Sequence, residues 1–401
     1  MIVRLVLLAL LASLAPAQQK ASTLFQEVDE MTSALSEITG WPIKRKVPAK
    51  IITKEEFRHQ VESRMKGSST NKELHAEELT LKMFGFIPQD FDLAKETVDL
   101  VSEQAAAFYD YSKKRLFVLD STSEGTEQRV ALVHELAHAL ADQQHPLGKY
   151  LKKDSPDDDG STAREAVMEG QATWLTWAYV SKRNGGKAEV SKDMIEKLTD
   201  NSGSDGADFP VFAKEPLYLR ESLVFPYDEG MKFQDAVYKQ LGRKSFDEIF
   251  VRPPRSTQQI LHPKTYIEDE KPADVDPPSL DKKEYKVLND GSVGEFDHSM
   301  LLRQFVPEKE GRAAASHWRG GAFRLYENKR EKYPVLTYAS EWSTPAAARE
   351  VFTLYQRVMK GKWKAMKVSE RTPDHVYGTG DSGKFELRIK GTTVTSIEGL
   401  R

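Results

Sequence analysis

Cysteine is absent from all 401 residues. No disulfide framework, thiol nucleophile or cysteine-ligated zinc ribbon is open to this chain, and any metal must be held by His, Asp and Glu. Basic excess is missing too. The 58 Lys and Arg stand against 61 Asp and Glu, a net charge of −3 that gives no electrostatic reason to expect nucleic acid or an anionic membrane as partner. Apolar runs are short: Leu5 to Leu14 falls well below the roughly 20 residues that span a bilayer. What is present is a globular composition. With 39% hydrophobic and 30% charged residues the chain can bury a sizeable core and is not disordered. At about 150 residues per domain, its length predicts two to three domains.

The N-terminus reads as a cleavable signal peptide over residues 1–17. Arg4 supplies the positive end, Leu5 to Leu14 the apolar stretch, and Ala15-Pro16-Ala17 the small-x-small cleavage pattern. No Cys follows for lipid attachment. The expectation is a secreted or periplasmic protein beginning near Gln18, with no stable membrane span after cleavage.

Periodicity then predicts an α+β fold: a mostly helical main domain with a short sheet, followed by a small C-terminal α+β module. Residues 18–73 form an N-terminal helical segment, with helices over Thr23–Ile38 and Lys54–Met65 and a loop at Gly67–Thr70. Residues 74–268 form the main domain, in which the candidate chemistry concentrates. They hold helices at Leu74–Phe84 and Leu93–Gln104, a buried strand at Arg115–Leu119, and helices at Glu127–Gln143 and Thr162–Lys182. An acidic loop, Asp154–Gly160, separates the last two. Phe225–Gly230 reads as the opening of a helix that runs to about Leu241. A stretch dense in Pro and Asp places a linker at 269–290. Within 291–401, strands are predicted at Phe323–Tyr326, Val335–Glu341, Lys384–Lys390 and Thr393–Glu398. A helix from Pro345, capped by Thr344, lies between them.

The chemistry concentrates at residues 134–138, His-Glu-Leu-Ala-His. Four residues apart on a helix, His134 and His138 share one face and can reach one Zn²⁺. Glu135 points about 100° around the helix, where it can take a proton from the attacking water and pass it to a leaving amine. Val130 to Val133 and Ala139-Leu140 make the segment uncharged, so polar groups inside it need partners. The next helix offers two candidate third ligands one turn apart, Glu165 and Glu169. Glu169 has the stronger local case. Gly170, Ala166 and Ala172 keep that helix thin and let it approach its neighbour.

His-Glu-x-x-His followed by Glu-Gly-x-Ala resembles the gluzincin, thermolysin-like zinc metallopeptidases. Ala107–Asp110, Arg115–Leu119 and Pro254–Pro263 extend the likeness to uncharacterised exported bacterial proteins of this type, over roughly residues 74 to 266. The resemblance implies His134, His138 and Glu169 as zinc ligands, Glu135 as general base and acid, and a peptide or protein substrate. It also implies a later His or Tyr that stabilises the oxyanion, here His262 or Tyr227, and an edge strand for substrate, here around Phe117-Val118-Leu119. Two departures stand out. Glu169 follows His138 by 31 residues, longer than in thermolysin, and Thr173 stands where the family places an Asp behind its ligand.

Weaker candidates remain. Asp142 could orient an imidazole or cap a neighbouring helix. His145 suits the negative end of its helix. The Asp157–Asp159 run reads as a solvated loop, with calcium as the functional alternative. His298, His317 and His375 receive no role. The rival function is a non-catalytic exported binding protein whose structural or vestigial metal site is closed by His145 or Glu165. A zinc amidase acting on a non-protein substrate would use the same chemistry.

Overall fold

The computed structural model describes residues 17–65, 68–120, 125–154, 157–201 and 209–401. The signal peptide expected over 1–17 lies outside the described residues except for Ala17.

Helix α1 (Ala17–Thr39) buries Val28, Met31, Leu35 and Ile38, a stripe at helical spacing, and turns at Gly40 with φ +81°. Strand β1 (Ala49–Ile52) follows, too short and too mixed to show a period. Helices α2 (Lys54–Met65), α3 (Ser68–Phe84) and α4 (Leu93–Gln104) come next. The loop expected at 67–70 is thus mostly the first turn of α3. Strands β2 (Ala107–Asp110) and β3 (Arg115–Leu119) complete a sheet ordered β1-β3-β2, with β3 parallel to β1 and antiparallel to β2. The strand at Phe117–Leu119 is therefore central, not an edge. Parallel pairing with the distant β1 covers its far side, and β2 is the edge that lies beside the next helix.

That helix is α5 (Thr126–Gln144), followed by the short α6 (Leu147–Tyr150) and the long α7 (Asp158–Arg183). The acidic run at 157–159 is only partly solvated: Asp157 stays exposed, whereas Asp158 and Asp159 form the first turn of α7 and Asp159 is buried. Asp157 caps the helix by accepting from Gly160 N at 2.7 Å, and buried Asp159 accepts from Thr257 N and Oγ1 at 3.0 and 2.6 Å. Among the described residues these carboxylates join no group of three donors at ligand spacing, so the calcium alternative finds no cluster here. After α8 (Lys192–Asn201) comes α9 (Leu217–Leu241), which carries Pro226 in its interior. The helix was expected to open at that proline. Instead two upstream turns are helical, because tertiary packing of Leu219, Phe225 and Phe233 outweighs the missing N–H. Helices α10 (Ser245–Val251), α11 (Thr257–Leu261) and α12 (Pro263–Ile267) close this part.

The C-terminal part is an antiparallel sheet of seven strands ordered β4-β5-β6-β10-β9-β8-β7. They are β4 (Tyr285–Ser292), β5 (Trp318–Asn328), β6 (Pro334–Trp342), β7 (Lys367–Arg371), β8 (His375–Gly380), β9 (Gly383–Lys390) and β10 (Thr393–Leu400). Helices α13 (Glu295–Arg303) and α14 (Glu308–Ala315) connect β4 to β5. Helix α15 (Pro345–Lys362) crosses from β6 to β7, capped by Thr344, which accepts from Ala347 N at 3.1 Å. Strand β4 lies partly inside the stretch read as linker, and the remainder is not free either: Ala273 N donates to Arg319 O at 2.7 Å.

The two parts share one apolar core. Phe84 of α3 meets Phe323 and Tyr338 edge-on at 5.7 and 5.8 Å. Beside it, Lys362 donates to Met83 O at 2.9 Å and to buried Glu398 at 2.6 Å, while Tyr355 OH donates to the other Glu398 oxygen at 2.7 Å. Removing one member of a buried ion pair leaves a charge without its partner, at about 3–5 kcal/mol. Lys362→Met is expected to lose stability on that scale in urea melts. A change below about 1 kcal/mol would show that the Lys362–Glu398 pair, which joins α15 to β10, is worth no more than an exposed one.

Candidate metal centre

Helix α5 places the motif by burying Leu132, Val133, Leu136 and Leu140 against the core, so that His134 and His138 emerge together on one face. Glu169 reaches them from α7. Its Oε2 lies 3.0 Å from His134 Nε2 and 3.3 Å from His138 Nε2, and the two imidazole nitrogens are 3.0 Å apart. Donors of a tetrahedral Zn²⁺ with bonds of about 2.0–2.1 Å stand about 3.3 Å from one another. Two imidazole nitrogens and a carboxylate oxygen at these separations fit such an ion. The second oxygen, Glu169 Oε1, is buried with no hydrogen-bond partner, which suits a carboxylate whose charge is meant for a cation. The three residues can hold a metal. Among the described residues no fourth His, Asp or Glu joins them.

The field within the cluster is uneven. Burial pulls the His134 imidazole down to about 4, although Glu169 opposes this, so the ring is neutral and able to ligate. Burial acts the same way on His138, but the Glu169 carboxylate outweighs it and raises the ring above its ordinary value. Glu169 is drawn down to about 2 because both imidazoles overcome its own desolvation.

Glu135 stands apart from the donors. One oxygen accepts from Tyr109 N of edge strand β2 at 2.7 Å, and the other, Oε1, is buried without a partner. Burial first, and the nearby Glu169 charge after it, push its carboxyl up to about 8. A carboxyl tuned to the neutral range can both accept and return a proton.

Tyr109 also ties the strand to α5, since its hydroxyl donates to Asp142 at 2.9 Å. Asp142 further accepts from Lys114 at 2.7 Å and from Leu147 N at 3.0 Å. Of its two expected roles it takes the capping one and touches no imidazole. His145 is held by Asp247 at 2.6 Å and stacks on Phe250, away from the cluster. Glu165 lines the cavity next to Glu169 but is not one of the three converging donors. His298 is buried between Gly294 O and Tyr338 OH, and His317 and His375 bond Ser343 and Glu386, so all three have structural places.

The two oxyanion candidates part company. The Tyr227 ring lies 5.8 Å from the His134 ring and lines the cavity that Glu169 faces. His262, at the α11–α12 junction, bonds Glu295 at 2.8 Å and does not line that cavity. Its Leu-His-Pro setting does fix the residue, but toward the C-terminal part.

Gly170 also acts differently from expectation. Its close neighbour is not α5 but Gly230 of α9: a Cβ on Gly170 would lie 2.0 Å from the Gly230 carbonyl carbon. Backbone cannot yield there, so this contact sets how near α9, and Tyr227 three residues before Gly230, comes to the donors. Gly170→Val is expected to cost about 1–3 kcal/mol of stability, because Gly230 backbone occupies the space its side chain would need. An unchanged thermal midpoint would show that the helices do not touch this way.

The sequence family described as a domain of unknown function (DUF8575) matches residues 284–401, from the residue before β4 onward. No curated protein matches the chain. Among solved structures it is similar to one titled a "putative hydrolase with a novel fold" from Chloroflexus aurantiacus, at 15% identity and a TM-score of 0.38, over 64% of this chain and 92% of that one.

Proposed function

We propose that the protein is an exported zinc-dependent peptidase, secreted or periplasmic, acting on peptide or protein substrates. The observation that carries this is the convergence of two imidazoles and one carboxylate at ligand spacing, with the buried Glu135 carboxyl on the same helix as the two imidazoles. Zn²⁺ bound by His134, His138 and Glu169 would supply Lewis acidity, polarising the scissile carbonyl and acidifying water. Glu135 accepts the proton of the attacking water and delivers it to the departing nitrogen. Tyr109 N–H fixes one oxygen of Glu135 and leaves the other to do this. Tyr227, whose ring lies 5.8 Å from that of His134, donates its hydroxyl hydrogen to the charge that develops on the carbonyl oxygen.

The absence of a fourth donor among the described residues supports a catalytic metal over a structural one, which would be closed by another protein ligand. The deciding measurement is cleavage profiling of the full chain on a mixed peptide library, with and without a zinc chelator. Products that vanish on chelation are expected; no cleavage by metal-loaded protein would overturn the reading. Tyr227→Phe should lower kcat by about 10²–10³ while leaving zinc stoichiometry intact. A variant that turns over like the parent removes Tyr227 from the mechanism.

A further inference from the structure

A cavity of about 170 Å³ lies beside Glu169 and Tyr227, walled by α3, α4, α7, α9 and the β4–α13 segment. That is room for a group on the order of benzene in size. Two features of its wall are independent of each other. Five carboxylates line it, Glu77, Asp158, Glu165, Glu169 and Asp297, yet no Lys, Arg or His does among the described residues. The chain as a whole is nearly balanced, 58 basic against 61 acidic, so this one-sided lining is local and not a reflection of composition. The second feature is aromatic. Phe84, Phe86, Tyr218, Phe296 and Phe323 share the wall with Tyr227, and Phe86 lies against Tyr218 at 4.2 Å between ring centres.

We propose that this cavity is the specificity pocket of the active site and takes an organic cation, the ammonium or guanidinium group of a peptide substrate. The inference rests on the peptidase reading and names its substrate class. Aromatic faces attract organic cations through the negative face of the ring, and carboxylates distributed around them supply the long-range field. A second metal ion is a poorer match. Hard divalent cations need several oxygens converging on one point, and no three of these carboxylates come within 4.8 Å of one another among the described residues. Asp297 makes the pocket's floor reactive to charge. It accepts from Tyr218 OH at 3.0 Å and Gly294 N at 2.8 Å, and burial nonetheless pushes it up to about 6. Burial likewise raises Glu77. A cation placed between them would reverse those penalties by favouring the ionised carboxylates. The pocket also assigns work to the C-terminal part, which contributes Asn289, Ser292, Phe296, Asp297 and Phe323.

The test uses metal-loaded full-length Glu135→Gln, so that peptides bind without being cut. Affinities are measured calorimetrically for Ala-Ala-X-Ala, with X Arg, Lys, norleucine or Glu, each with a free and an acetylated amino terminus. The expected result is binding at least tenfold tighter for Arg or Lys than for norleucine and weakest for Glu. If the preference follows the free terminus instead, the cation is the α-ammonium and the pocket stands. Asp297→Asn and Glu77→Gln should each reduce the preference several-fold, and circular dichroism reports whether either variant has lost its fold. Equal affinity for norleucine and Arg, together with indifference to acetylation, would overturn the proposal, and this parent-side comparison needs no pocket variant. Because the readout is binding, a protein that selects cations but cleaves nothing would refute the peptidase reading alone.

Discussion

Glu135→Gln is expected to retain fold and one zinc per chain while losing turnover by about 10²–10⁴-fold, the usual contribution of a positioned proton-transfer group. The substitution is nearly isosteric. Glutamine can still accept from Tyr109 N, so the 2.7 Å bond that holds this side chain to strand β2 survives. What disappears is the proton itself: an amide can neither take one from water nor return one to a leaving amine. The variant also removes a buried carboxyl that burial and Glu169 hold near 8, so folding stability should not suffer. Zinc analysis, a thermal melt and initial rates on the same preparation decide the matter. Equal rates in variant and parent would falsify a general-base role for Glu135.

The second large effect concerns metal retention. His134→Ala, His138→Ala and Glu169→Ala should each abolish stoichiometric zinc, because two remaining donors cannot enclose the ion and each loss removes a direct bond. Glu165→Ala should lower affinity by no more than the roughly 10–100-fold typical of outer contacts. Geometry makes the distinction sharp, since Glu169 Oε2 sits within 3.3 Å of both imidazole nitrogens whereas Glu165 is outside the converging group. Metal titration of the four purified variants reads it directly. Should Glu165→Ala lose zinc while Glu169→Ala keeps it, the third-ligand assignment fails even though the paired histidines stand.

Short-range features were legible from the chain alone. The 3.6-residue period put His134 and His138 on one face, and the same period gave Lys54–Met65 and Leu93–Gln104 their bounds. A Thr-Pro start marked α15, and a run of branched and aromatic residues marked β3. The lack of cysteine confined the donor set to imidazole and carboxylate. Such information sits within a few residues, where backbone geometry dictates what side chains share. Errors began where a local signal had two meanings. Pro226 is a helix opener by propensity, but two turns of apolar packing ahead of it extended α9 upstream. An acidic run looks solvated until Thr257, 98 residues away from Asp159, turns out to donate to it.

Tertiary structure alone decided which distant groups meet. The glycine-thinned face of α7 needed a partner, and periodicity cannot say whether that partner is α5 or α9; the Gly170–Gly230 contact settles it, and with it the approach of Tyr227. His262 and Tyr227 were equivalent as residue types. One is drawn to Glu295 and the other's ring lies 5.8 Å from that of His134, because their helices dock on different neighbours. Nor could spacing reveal that a C-terminal sheet closes the cavity beside Glu169, since Asp297 and Phe323 lie more than a hundred residues from the motif. Sequence by itself determined the chemistry of the donors and the helix that carries two of them. The third donor's place, the buried setting of Glu135 and the shape of the adjoining cavity arise from burial and from contacts between remote segments, which a local pattern does not encode.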